Sequence, residues 1–156
     1  MPNIFLKFDP TIDGGSQNIK FIKFIEIQSF SWGLTNPPPD GKTDPPAGQQ
    51  AISLVSTVDR QSPRLFEACA KGSPFVTAEL SVVSDGEEAQ VFYKVIVSDV
   101  VITSYQAAGS DGPSRPNESY SLFFRKLENQ FRAQKPDGSL DAPIVGTFDF
   151  GVPTKV

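Results

Sequence analysis

Apolar and polar residues alternate along most of this chain. In residues 75–83, Val76, Ala78, Leu80 and Val82 fall on one side, with Thr77, Glu79 and Ser81 on the other. Successive side chains of a strand point to opposite faces, so a period of two predicts a half-buried strand. Residues 90–105 repeat the pattern with Val91, Tyr93, Val95 and Val97. At Ser98 and Asp99 the apolar set changes parity, to Val100 and Ile102, as a β-bulge or a sharp bend produces. Such irregularities let a sheet curl towards a barrel. Further strands are predicted over 4–8, 19–30, 52–58, 120–131 and 144–150, all rich in β-branched and aromatic residues. In the fourth of these, Tyr120, Leu122 and Phe124 mark one face, and Phe123, Leu127 and Phe131 the other. One face meets the core, so the other is expected to meet something else, such as a second chain.

One stretch departs from this period. Residues 63–71 are predicted as the single α-helix. Ser62 can cap its first turn, and Pro63 suits the first helical position because its missing N–H costs nothing there. Leu65, Phe66 and Cys69 form its apolar side, and Gly72 can take the left-handed conformation that ends a helix. A second departure is residues 36–50, where Pro37, Pro38, Pro39, Pro45 and Pro46 remove backbone donors and extend the chain. This long Pro-rich loop reads as either a surface excursion or an arm reaching a neighbouring subunit, with Trp32 at its root. Asp-Gly pairs at 13, 40, 85, 111 and 137 fit turns between strands. The fold class expected from the residues is mainly β, an antiparallel barrel with one helix, in a single domain over 1–156.

Composition narrows the function more by exclusion than by signal. The 156 residues contain no histidine, which removes Ser-His-Asp and Cys-His catalysis and histidine metal ligation. Cys69 is the only cysteine, so no intrachain disulfide or thiolate zinc cluster can form, and its helical position predicts a small buried apolar residue. A net charge of −4 without a dense basic run argues against nucleic acid as a partner. No signal-peptide pattern opens the sequence, and no apolar run approaches the roughly 20 residues that span a bilayer. Synthesis and folding in the cytoplasm are expected. The densest carboxylate pair, Glu87 and Glu88, reads as a solvated hairpin tip. Asp99 is expected to be structural, accepting backbone hydrogen bonds at a bend. No catalytic, cofactor-binding or metal-binding residue is expected, and the chain is not expected to be an enzyme.

Several stretches together resemble the Hcp family of the bacterial type VI secretion system. They are Ser-Phe-Ser-Trp-Gly at 29–33, the capped helix at 62–72, Ser-Asp-Val-Val-Ile-Thr-Ser-Tyr at 98–105, Glu-Ser-Tyr-Ser-Leu at 118–122, Lys-Leu-Glu at 126–128 and Asp-Gly at 137–138. The resemblance implies a closed antiparallel barrel assembled into six-membered rings. These rings stack into a tube that a contractile sheath propels into a target cell, with small effectors carried in the lumen. It implies self-association, contacts with spike, sheath and effectors, no membrane insertion, and secretion without a signal peptide. Trp32, the five arm prolines, Phe123 and Phe131 are the interface candidates. Ser62, Pro63, Leu65, Phe66 and Asp99 are the structural ones. The alternative from a different class is a monomeric β-barrel carrier or enzyme with an internal cavity.

Overall fold

The computed structural model describes residues 3–35, 48–84 and 90–150. Its strands are β1 (Ile4–Asp9), β2 (Ile25–Ser31), β3 (Leu34–Thr35), β4 (Gly48–Gln49), β5 (Ile52–Thr57), β6 (Pro74–Val83), β7 (Val91–Ala108), β8 (Asn117–Phe123), β9 (Lys126–Phe131) and β10 (Ile144–Asp149). The helix α1 is Ser62–Lys71. All pairings are antiparallel, and the order β7-β6-β1-β2-β5-β8 closes on itself because β8 also pairs with β7. The result is a six-stranded closed barrel, its strands as the alternation and its closure as the resemblance led one to expect. β7 pairs with β6 along one edge and is long enough to serve two partners along the other. Its second half closes the barrel with β8, while its first half pairs with β9, which carries β10 outward as a two-strand flap.

Leu6, Phe8, Ile25, Ile27, Leu54, Leu80, Val95, Val97, Ile102 and Leu122 fill the barrel, and Leu65 and Ala68 of α1 pack into the same cluster. Burying a side chain of this size contributes about 1.5–3 kcal/mol, so this cluster dominates stability.

The parity change in β7 is real. Asp99 has φ of 56°, and buried positions switch from Val95 and Val97 to Val100 and Ile102. No extra residue is inserted there against β6, since Phe75 pairs with Val100 and Thr77 with Ser98. Both strands bend together. Val76 turns outward opposite Asp99 and is exposed, not on the core side with Ala78 and Leu80 as alternation predicts. The one-residue slip in β7 comes later, between Ile102 and Ser104 against β8.

Two predicted strands divide differently. Residues 19–21 form a 3-10 turn, started by Asn18, whose side chain accepts from the Lys20 N–H at 3.0 Å. Lys23 then takes a φ of 65°, and β2 begins only at Ile25. The predicted strand at 120–131 is two strands, interrupted at Phe124 and Arg125 opposite the Asp99 bend. Most of the Pro-rich loop, residues 36–47 with all five named prolines, lies outside the described residues, as do Glu87 and Glu88. Its C-terminal end at Gly48 and Gln49 pairs with Thr35 and Leu34 as a small ribbon.

Candidate assembly surface and its supporting core

The helix is fastened to the barrel by a polar node that the sequence reading did not identify. Glu118, at the start of β8, is 1% exposed. One of its oxygens accepts from Ser56 Oγ and Gln61 Nε2, both at 2.6 Å. The other accepts from Ser62 Oγ at 2.6 Å and the Tyr105 hydroxyl at 2.7 Å. All four partners are uncharged, and two of them sit at the N-terminus of α1, where the helix dipole favours a carboxylate. The node thus ties β5, β7 and β8 to the start of the helix. Burial, reinforced by the bond to Glu118, pushes the Tyr105 hydroxyl up to about 12. Burial raises Tyr120 as well.

The node changes the role of Ser62. It is the first helical residue, and its hydroxyl donates to Glu118 and accepts from the Asp59 N–H at 3.1 Å instead of capping the first turn. Gln61 occupies the cap position without a side-chain cap bond. Pro63 is at the helix start and Leu65 is fully buried. Phe66 faces solvent at 59% exposure, because Leu65 and Ala68 define the inward stripe and Phe66 lies beside it. Cys69 is half-buried against the core. Gly72 closes the helix at φ of 66°.

Asp99 also differs from expectation. Its side chain is exposed and pairs with Arg125 at 3.3 Å, and Arg125 reaches Asp149 at 3.4 Å. Its structural part is the left-handed backbone, which Asp tolerates better than most residues, together with this exposed ion pair.

The interface candidates fall in separate places. Trp32 is partly buried against the core beside the arm's root, where the Gln50 N–H donates to the Gly33 carbonyl. Phe123 and Phe131 are half-exposed. Phe131 pairs with Tyr93 on one side and Ile144 on the other, and four residues along each strand Leu127 pairs with Val97 and Phe148. Residues four apart on a strand share a face. Val97 and Leu127 are core residues, so the flap continues the barrel's apolar face beyond the barrel. There Ile144, Phe131 and Phe148 remain 72%, 45% and 45% exposed. The other face carries Lys94, Gln130 and Glu128 with the half-exposed Val145 among them; Lys94 pairs with Glu79 of β6, and Gln130 donates to Glu128. An apolar sheet face without a second layer is a docking surface more readily than a solvated one.

A groove of about 570 Å³ is lined by Asn3, Glu26, Gln28, Asp59 and Arg115 among others. Among the described residues there is no group of three or more His, Cys, Asp or Glu placed to hold a metal ion. No helix of the described residues is long and apolar enough to cross a membrane.

Comparison with known proteins identifies the class to which this closed barrel with its outlying flap belongs. Residues 5–131 match the family described as type VI secretion system effector, Hcp. The chain belongs to the Hcp family. It is 32% identical over 93 residues to Protein hcp1 of Pseudomonas aeruginosa, a match spanning 59% of this chain and 57% of that protein. Among solved structures, one described as a type six secretion system protein superposes with a TM-score of 0.84 at 24% identity, covering 94% of this chain and 93% of that one. Hcp1 from Salmonella typhimurium does so with a TM-score of 0.78 at 24% identity, with the same coverage. These two show the shared fold.

Proposed function

We propose that this chain is a tube subunit of a type VI secretion system. It forms six-membered rings that stack, is propelled outward by a contractile sheath behind a spike, and carries small effectors in the lumen. It is a structural protein, made in the cytoplasm and released without a signal peptide, and the described barrel and flap act as one assembling unit. Family membership supports the setting, and the observation that carries self-association is the apolar flap face lacking a second layer. A monomer would leave Ile144, Phe131 and Phe148 in water, whereas a neighbouring subunit would cover them. The monomeric carrier is disfavoured because apolar side chains occupy the barrel interior. Light scattering on the purified chain is the test, with particles expected at about six times the 17.0 kDa of one chain and as rings in negative stain. A monomer at tens of micromolar would sink the proposal.

A further inference from the structure

A ring requires each subunit to present two different surfaces, one meeting the other on the next copy. The flap is one, and the fold holds a second feature suited to face it. The segment before β2 projects Ile19 and Ile22 into solvent at 92% and 55% exposure. This projection is held firmly. The Lys23 N–H donates to the Ser16 carbonyl, and the Ser16 N–H donates to the Phe24 carbonyl. Phe21 stacks on Phe5 of β1 at 4.5 Å, and Phe24 meets Phe21 edge-on at 5.3 Å. A rigid knob with two exposed isoleucines loses little freedom when it docks.

We propose that the Ile19 and Ile22 knob of one copy seats on the flap of the next copy, against Phe131 and Ile144. This rests on the ring reading above and assigns its lateral contact. Three observations support the pairing. First, the knob stands over β1 and β2, and β2 is three strands from β7 in either direction around the closed barrel. The two features therefore lie on opposite flanks, as a head-to-tail contact requires. Second, beside Phe131 runs a groove of about 400 Å³ with Phe92 and Leu140 in its wall, room for an isoleucine side chain. Third, the knob bears Lys23, and the turn leading into β10 bears Asp137, whose carboxylate accepts from the Ser139 N–H and hydroxyl. Those hydrogen bonds hold the Asp137 carboxyl below its usual range and keep it charged.

Two double variants test this, Ile19→Asp with Ile22→Asp, and Phe131→Asp with Ile144→Asp. Each is expected to be a folded monomer by circular dichroism and light scattering. Each keeps one intact surface, so mixing them in equal amounts is expected to give a dimer that grows no further. Rings that survive either double variant, or monomers that fail to pair on mixing, overturn the contact. If Phe131→Asp compromises folding, Ile144→Asp alone serves, since that side chain is largely in solvent. A parent chain that is itself monomeric overturns the ring reading and this contact together. A parent ring with unaffected variants overturns this contact only.

Discussion

Glu118 shows how much a single position can organise and how it could have been read. Glu118, Tyr120 and Leu122 share one parity in β8, and all three are buried. Extending the alternation two residues back from Tyr120 places a carboxylate on the core face, where it needs several donors. What the sequence does not reveal is their identity, since Ser56, Gln61 and Tyr105 come from distant parts of the chain. Glu118→Ala strands four polar groups and is expected to cost about 3 kcal/mol or more, read as a lowered denaturant midpoint. Glu118→Gln turns an amide N–H towards groups that are already donating, and about 1–3 kcal/mol should be lost. A midpoint unchanged in both would remove the node from the account of stability. Tyr105 adds a pH dependence. Its hydroxyl titrates near 12 in the folded chain against 10.0 ordinarily. The folded state therefore keeps a proton that the unfolded state has released, and stability falls as pH rises from 10.0 towards 12. Below that window the contribution is fully present. In Tyr105→Phe the decline between those values should become shallower, with the remainder coming from groups such as Tyr120. An identical slope in parent and variant would refute the assignment.

At the scale of elements, the strands whose alternation is unbroken were legible, and those that bend were not. β1, β5 and β10 fall close to their predicted ranges, and α1 is one residue longer than predicted. The turn at residues 19–21 read as strand because the stretch is rich in β-branched and aromatic residues and shows no evident cap, but the Asn18 cap, the hydrogen bonds of the knob and the stacking of Phe21 on Phe5 override that preference. Val76 was misplaced because a left-handed residue opposite it, Asp99, turns both strands. For the helix, spacing alone did not separate Leu65 from its neighbour Phe66. The structure puts Leu65 at 0% and Phe66 at 59% exposure, so their substitutions should part company. Leu65→Ala is expected to cost about 2–5 kcal/mol through lost burial and the cavity left behind. Phe66→Ala should shift the denaturation midpoint little, by less than about 0.5 kcal/mol. Equal losses would place both side chains in the core.

For the molecule as a whole, closure is the feature periodicity could not supply. The β7–β8 pairing joins segments that match in register only after the chain has been wound, and it was the family resemblance that led to a closed barrel. The proposed assembly draws likewise on what stays exposed. The proposed knob and flap contact is lateral, and the Pro-rich arm is the remaining candidate for contact within a ring or between stacked rings. Its root is anchored: Leu34 pairs with Gln49, Thr35 pairs with Gly48, and the Gln50 N–H binds the Gly33 carbonyl. Trp32, partly buried beside that root, ties it to the barrel. The five prolines at 37, 38, 39, 45 and 46 restrict the chain before docking, so ordering it against a neighbour costs less entropy than ordering a glycine linker of equal length. Replacing residues 37–46 by a short Gly-Ser bridge leaves the ribbon and the barrel core untouched. The variant is expected to unfold at the denaturant concentration of the parent and to lose rings or stacked tubes, as seen by light scattering and negative stain. Rings, tubes and secretion all equal to the parent's would show that the arm makes no assembly contact. Because the knob and flap variants act on lateral pairing, comparing the two sets separates the contributions. Loss of tubes with rings intact assigns the arm to stacking, whereas loss of rings assigns it to the same lateral contact.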